Sequence, residues 1–155
     1  MISGGFPYIQ VDINCPTTLP PSMTDHLAVL QTYFDLVQEF STDPAAYAAV
    51  LHPEVEQTEY PNALNKTIQR RSFDEMIDNL RTGRETLRNP SFEVHATHTA
   101  PDGLIIVEGY WQAFALNDVG PLLRGQRLAS HLCLTFEFKE GKIYRQRRYP
   151  NYELF

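Results

Sequence analysis

The sequence contains few of the features that mark exported, membrane-embedded or nucleotide-dependent proteins. Cys15 and Cys133 are the only cysteines, so a disulfide framework is excluded and a reducing cytoplasm is compatible. No stretch approaches the roughly 18 uncharged apolar residues of a membrane span, and no basic region followed by an apolar block opens the chain. Phosphate loops, dinucleotide fingerprints and nucleophile elbows are also missing. We expect a soluble cytoplasmic protein that uses no cofactor and has no membrane partner.

Positive charge is scarce as well. The chain has 13 Lys and Arg against 19 Asp and Glu, which gives a formal charge of -6. Such a surface repels phosphate backbones, so nucleic acid is not an expected partner. At 155 residues, of which 43% are hydrophobic, the chain is long enough for one core and too short for two ordinary domains.

Proline divides the chain into two unequal parts. Residues 1–22 hold four of the eleven prolines, which forbid a helix and favour extended backbone. The apolar side chains of this arm predict that it packs, either as an added strand or around a partner subunit. Residues 23–155 are predicted to form a single domain.

Capping signals predict three helices. The first begins with the capping-box spacing at Ser22 and continues to about residue 40. A shorter helix is expected over residues 45–51, and a third begins at the capping box of Ser72 and stops before Asn89. The chain therefore concentrates its helices in the first two thirds.

The apolar period changes from helical spacing to two after Pro90, which indicates strands. The predicted strands cover residues 55–60, 92–97, 104–116, 128–139 and 142–149. Helices segregated from an antiparallel meander indicate the α+β class.

This order of elements resembles the nuclear transport factor 2-like superfamily, and within it the branch of SnoaL-like polyketide cyclases and ketosteroid isomerases. The resemblance covers about residues 24–155. It is carried by Glu-Gly-Lys-Ile at 140–143, the aromatic-rich end at 149–155, and His-Pro-Glu-Val at 52–55 after a short second helix. It implies a cystatin-like cone, in which a curved antiparallel (mixed) sheet wraps around three N-terminal helices. It also implies a ligand pocket inside the cone and a homodimer partner outside.

The same resemblance suggests site residues and shows that three of their acids have been replaced, two of the ketosteroid isomerases and one of the cyclases. The segment at 31–37 is similar to the ketosteroid isomerase segment that supplies an oxyanion-stabilising tyrosine, which falls on Tyr33. The general base of that family precedes a proline at the end of the first strand, and here this position is Tyr60. The second oxyanion acid falls on Leu134, and the cyclase aspartate after Tyr149 is replaced by Pro150. Because leucine cannot donate a hydrogen bond, ketosteroid isomerisation is not expected.

Alternation along the strands separates the remaining candidates. Trp111 and Leu134 are predicted to face inward, whereas Tyr110, Phe114 and His131 face outward. Because an aromatic outer face is unusual in free solvent, we expect a partner subunit or the N-terminal arm to cover it. His131 is then either a catalytic group or, as the simpler interpretation, a satisfied interface histidine.

Charged residues offer three further hypotheses. His95 and His98 lie three residues apart on a strand and point to opposite faces, so a metal site is not expected. Glu59 is a possible base but should point outward if Tyr60 points inward. The basic run at 145–148 is divided between two faces, and one inward arginine could bind an anionic ligand.

The sequence thus predicts a protein that binds a small hydrophobic molecule in an apolar cone. It could be a cofactor-independent isomerase, cyclase or dehydratase acting on a carbonyl compound; the alternative is a non-catalytic ligand-binding or dimeric structural domain. The candidate catalytic residues are Tyr33, Tyr60 and His131. The candidate ligand contacts are Tyr33, Phe34, Tyr60, Trp111, Leu134 and Tyr149.

Overall fold

The structure is a computed structural model that describes the backbone of residues 9–10 and 21–153 and the side chains of residues 25–153. Within these residues it contains three helices: α1 (Pro21–Gln38), α2 (Pro44–Ala48) and α3 (Phe73–Thr86). None of the described helices is both long and apolar enough to cross a membrane. Most of the arm predicted over residues 1–22 lies outside the described residues, so its role stays a prediction.

Seven described strands form one open, mixed sheet, which confirms the predicted α+β class. They are β1 (Ile9–Gln10), β2 (Leu51–Glu59), β3 (Gln69–Arg71), β4 (Leu87–Thr99), β5 (Ile105–Ala115), β6 (Arg127–Lys139) and β7 (Lys142–Tyr152). Their order across the sheet is β1-β4-β5-β6-β7-β2-β3. The pairing of β2 with β7 is parallel, and the other pairs are antiparallel.

The helices α2 and α3 begin where the capping signals predict, whereas α1 begins at Pro21, one residue before its predicted cap Ser22. The Asp43 side chain accepts a hydrogen bond from the backbone N–H of Ala45 at 3.0 Å at the start of α2. At the start of α3, the Ser72 backbone N–H donates to Glu75 Oε2 at 2.7 Å and the Ser72 hydroxyl accepts from the Glu75 backbone N–H. These bonds satisfy N–H groups that lack a partner within the helix, so local sequence suffices to place the starts of α2 and α3.

Three strands differ from the predicted bounds by more than one residue, and one of them, β7, continues through Pro150 to Tyr152 instead of ending at residue 149. β2 begins at Leu51, four residues before the predicted start at residue 55, and β4 begins directly after α3 and continues through Asn89 and Pro90. Proline is tolerated in β4 because the register shifts between Arg88 and Ser91, and Asn89 takes a φ of 50° that asparagine accepts readily. The short strand β3 was not predicted; it pairs with the end of β2.

The core lies between the helices and the concave face of the sheet. The strand parity predicted for β5 and β6 is confirmed, because Val107, Leu132, Leu134 and Phe136 are buried in it. The helices contribute Leu30, Tyr33, Phe34, Tyr47, Met76 and Ile77. The part of the concave face near Trp111, Leu128 and Tyr152 is not filled by this packing and lines a cavity.

Candidate functional site

An interior cavity of about 380 Å³ lies between the end of α1, α3 and the concave face of the sheet. Much of its lining is apolar. The apolar lining residues include Val37, Phe40, Leu64, Leu80, Leu87, Trp111, Val119, Pro121, Leu122 and Leu128. A polar end is made by residues at the ends of three neighbouring strands. These polar residues are Glu59 on β2, Arg71 on β3, and Arg148 and Tyr152 on β7, with Asn65 from the adjoining loop.

Glu59 is the centre of this polar end. Its side chain is 4% exposed. Oε1 accepts hydrogen bonds from the amides of Asn62 at 3.2 Å and Asn65 at 2.9 Å. Oε2 accepts from Arg71 Nη1 at 3.4 Å and lies 3.8 Å from Arg148 Nε. Both carboxylate oxygens are therefore occupied by groups of the protein itself.

These neighbours determine the charge of Glu59. Burial disfavours the ionised form and by itself would raise the pKa of Glu59, but the charges of Arg148 and Arg71 and the hydrogen bonds from the asparagines hold the pKa below its usual value. The group remains a carboxylate at neutral pH. A carboxylate with a lowered pKa and occupied lone pairs is a weak proton acceptor, so Glu59 is better suited to holding the arginines in place.

A buried chain of hydrogen bonds leads from this end to Tyr33. Arg71 Nη1 also donates to Gln57 Oε1 at 3.1 Å, and Gln57 Nε2 donates to Gln146 Oε1 at 2.7 Å. The Tyr33 hydroxyl donates to the same Gln146 oxygen at 3.2 Å. Burial raises the pKa of Tyr33, so its hydroxyl keeps its proton. Tyr33 thus lies behind the cavity wall, separated from Arg71 by two glutamine side chains.

Arg148 is the least satisfied charged group of the site. Its side chain is 24% exposed, and its Nε atom is buried without a hydrogen-bond partner among the described residues. Tyr152, four residues further along β7 and on the same face, lines the same cavity, and burial raises the pKa of its hydroxyl. Arg148 and Tyr152 are therefore both proton donors at neutral pH. They can hold an oxygen atom of a ligand at this end of the cavity.

The structure places four of the predicted ligand contacts on the concave side of the sheet. Trp111 lines the cavity. Tyr33, Phe34 and Leu134 belong to the core behind the cavity and are not among its described lining residues. Of these four, only Trp111 is placed to touch a ligand in the cavity directly.

The expectation that Tyr60 and Tyr149 face the cavity is wrong. Their rings stack on the outer side of the sheet with centroids 4.8 Å apart, and Tyr149 is 43% exposed. The cause is the parallel pairing of β2 with β7, which places Glu59 opposite Arg148. Because these two residues share the inner face, their neighbours Tyr60 and Tyr149 must share the outer one. The expectation that Glu59 points outward is wrong for the same reason.

His131 lies on the outer face, as its strand parity predicts. Its side chain is 61% exposed, its Nε2 is 3.7 Å from Glu153 Oε1, and its ring leans against Tyr110. It borders a second concavity of about 400 Å³ that also includes His95, Glu108, Cys133, Tyr149 and Asn151. The sheet separates His131 from the interior cavity, so the two cannot act on one ligand.

Metal-ligating side chains are not clustered in the part of the chain that the structure describes. No group of three or more His, Cys, Asp or Glu residues there could hold a metal ion. His98 Nε2 lies 3.2 Å from Glu108 Oε2, and His95 Nε2 lies 3.6 Å from Glu93 Oε1. Each of these histidines has an acidic neighbour of its own.

The sequence model of the SnoaL-like domain matches residues 30–146 of this chain. The match includes Glu59 and Arg71 and ends two residues before Arg148. No curated protein sequence matches the chain significantly.

The solved structures that share this fold include proteins assigned to different functions. A protein from Jannaschia sp. CCS1, assigned as a SnoaL-like polyketide cyclase, has a TM-score of 0.67 at 14% identity, covering 86% of this chain and 90% of its own. An LEH-like epoxide hydrolase from M. tuberculosis has a TM-score of 0.59 at 20% identity, covering 84% and 85%. An NTF2-like protein from Burkholderia thailandensis E264 has a TM-score of 0.61 at 21% identity, covering 81% and 89%. At these identities the likeness establishes the fold, which hosts more than one chemistry.

Proposed function

The chain belongs to the SnoaL-like domain family, and on that premise we propose that it binds a small hydrophobic molecule in the interior cavity. An oxygen function of the ligand is held by Arg148 and Tyr152, and its apolar body lies along Leu80, Trp111 and Leu128. The observation that carries this proposal is the buried Arg148 Nε without a hydrogen-bond partner among the described residues, at the end of an apolar cavity.

The size and lining of the cavity support a small-molecule ligand. Its volume of about 380 Å³ falls in the range of roughly 300 to 1,000 Å³ that is usual for such sites. Many apolar walls with a few convergent polar groups are also typical, since the walls supply affinity and the polar groups fix orientation.

Enzymatic turnover is the second candidate function, as a cofactor-independent isomerase, cyclase or dehydratase acting on a carbonyl compound. It is favoured by the same two donors, because Arg148 and Tyr152 could stabilise the negative charge that develops on a carbonyl oxygen during enolisation. Binding is placed first because Glu59, the one carboxylate in the described lining, has both oxygens occupied and a lowered pKa. Turnover would require another group to accept the proton.

A thermal-shift screen with hydrophobic carbonyl compounds tests the proposed site. A compound present at about 100 times its Kd should stabilise the folded state by roughly 2.7 kcal/mol. The variant Leu80→Trp should abolish the shift because the larger ring occupies the cavity that Leu80 lines. The matched control is Arg81→Trp, which places the same ring on the neighbouring, exposed position of α3 and should retain the shift. If a compound stabilises Leu80→Trp as strongly as the parent protein, it binds outside the cavity.

Tyr33 is proposed to act through Gln146 and not by touching the ligand. The variant Tyr33→Phe removes only the hydroxyl, which donates to Gln146. It should lower the free energy of unfolding by about 1 kcal/mol, the usual net contribution of such a bond. Ligand affinity should change less than about twofold, well under the 1 to 3 kcal/mol expected for a lost direct contact. Urea denaturation measures the change in stability of this variant, and calorimetric titration measures its ligand affinity. A tenfold loss of affinity would mean that Tyr33 contacts the ligand directly.

We also propose that a second copy of the chain covers the outer face of the sheet. This outer face is defined by Tyr60, Tyr110, His131, Cys133 and Tyr149. Tyr149 and His131 remain well exposed on it, beside the concavity of about 400 Å³. Burial and the nearby Glu108 carboxylate raise the pKa of the Cys133 thiol, which favours a packed side chain over a reactive one.

A further inference from the structure

The charges that line the interior cavity do not balance. Three described lining residues are charged: Glu59 is negative, and Arg71 and Arg148 are positive. One negative and two positive charges leave a net charge of +1 on the described lining, where the side chains of Glu59, Arg71 and Arg148 are 4%, 14% and 24% exposed. An uncompensated cation in such a place is unfavourable unless an anion joins it.

Arg148 is the arginine of this pair whose Nε–H is left without an acceptor among the described residues. Arg71 donates to Glu59 at 3.4 Å and to Gln57 at 3.1 Å, so its guanidinium has both an anion and a neutral acceptor. Arg148 approaches the same Glu59 oxygen only to 3.8 Å and makes no side-chain hydrogen bond among the described residues. Because the arginine guanidinium does not lose its proton in proteins, the positive charge of Arg148 cannot be removed by deprotonation.

We infer that the cavity selects an anionic ligand, a carboxylate attached to an apolar body, over a neutral carbonyl compound. The inference rests on the proposed function of the same cavity and names the class of its ligand. A carboxylate can accept two parallel hydrogen bonds from the Arg148 guanidinium, with Tyr152 as a further donor, and it brings the local charge to zero. A ketone or amide oxygen fills the same place but leaves the positive charge uncompensated.

Three compounds with the same alkyl chain and different head groups separate these cases: decanoate, decanamide and undecan-2-one. Calorimetric titration is carried out near pH 7, where the carboxylic acid is ionised. For the parent protein, decanoate should bind at least tenfold more tightly than either neutral compound. In Arg148→Gln the difference should fall below about twofold. The control Arg145→Gln should retain it, because Arg145 lies on the same strand but donates to the Glu54 carbonyl and contacts Tyr144 outside the cavity.

A second variant keeps the inference testable if Arg148→Gln does not fold. Glu59→Gln removes the one negative charge of the described lining and keeps the side chain's shape, which changes the local net charge from +1 to +2. The preference for decanoate over decanamide should then rise severalfold, because only the carboxylate gains from the added positive charge, whereas a displaced arginine would weaken both compounds. An unchanged or smaller preference in this variant would overturn the inference.

The remaining outcomes distinguish the inference from the proposed function. If the ketone binds as tightly as decanoate and Leu80→Trp abolishes both, the cavity binds neutral compounds and only the inference is overturned. If none of the three compounds binds, or if Leu80→Trp leaves their binding intact, the proposed function and the inference both fail.

Discussion

Replacing Glu59 by leucine is expected to lower the free energy of unfolding by about 3 to 5 kcal/mol, the usual effect of removing one partner from a buried ion pair. The substitution leaves the mostly buried Arg71 and Arg148 without their shared anion, and it leaves the amides of Asn62 and Asn65 without an acceptor. Urea denaturation followed by fluorescence of Trp111 measures the loss.

The matched control for this effect is the double variant Glu59→Leu/Arg71→Met. Removing one of the two arginines together with the carboxylate should restore part of the stability, because one buried cation fewer lacks its anion, whereas Arg148 and the amides of Asn62 and Asn65 still lack their acceptor. A loss below about 1 kcal/mol in the single variant would mean that water reaches the cluster, as it does in exposed ion pairs.

The pH dependence of stability gives an independent measure of the same cluster. The pKa of Glu59 is lower in the folded protein than in the unfolded chain, where a glutamate titrates near roughly 4.3. The stabilisation by its charge is therefore fully present above that pH and is lost as the pH falls through the lower folded pKa. Glu59→Gln cannot titrate at this position, so its stability should decline less steeply than that of the parent protein below about pH 4.

Local patterns were sufficient for the elements of the fold and for much of its inner surface. The capping box at Ser72 predicted the start of α3 because its two hydrogen bonds form within four residues. Alternation predicted the faces of β5 and β6 because Leu132, Leu134 and Phe136 can only be buried together on one side. These features depend on hydrogen bonds within one helix start or on the spacing of apolar residues along one strand, and both can be identified in the sequence.

The polar end of the cavity could not be predicted in the same way. It depends on the parallel pairing of β2 with β7, which joins segments about 90 residues apart and has no local signal. The register of β7 also shifts between Glu137 and Phe138 of β6, so alternation counted along the sequence does not show which arginine points inward. The structure settles this parity: Arg147 pairs with Glu137 outside at 2.8 Å, and Arg148 faces the cavity.

The resemblance to ketosteroid isomerases predicted the wrong inward-facing residue at the end of β2. It assigned the inner position before Pro61 to Tyr60, whereas the buried acid is its neighbour Glu59. The sequence did contain a relevant observation, because one inward arginine of residues 145–148 was expected to be able to bind an anion. The inward arginine is Arg148, and its acidic partner is Glu59, one position before Tyr60, which occupies the predicted position of the base.

The outer face of the sheet has the composition of a covered surface. Two ring pairs lie on it: Tyr60 stacks on Tyr149 at 4.8 Å, and Tyr110 leans on His131 at 5.0 Å. Apolar and aromatic area that remains exposed beside a concavity is typical of interaction sites. In a two-fold dimer the same patch would be used by both subunits, so one substitution changes the interface twice.

The variant His131→Glu is expected to weaken a homodimer by at least about a hundredfold, because an unpaired charge buried in an interface costs roughly 3 kcal/mol or more. In a single chain the change should be mild, since the His131 side chain is 61% exposed. Within the interface the new carboxylate would lie beside Glu153. The control Arg81→Glu changes a side chain that is 52% exposed on α3, away from the sheet, and should leave the assembly unchanged. Sedimentation velocity over a micromolar concentration series measures both variants, and a parent protein that sediments as a monomer at every concentration would rule out the dimer.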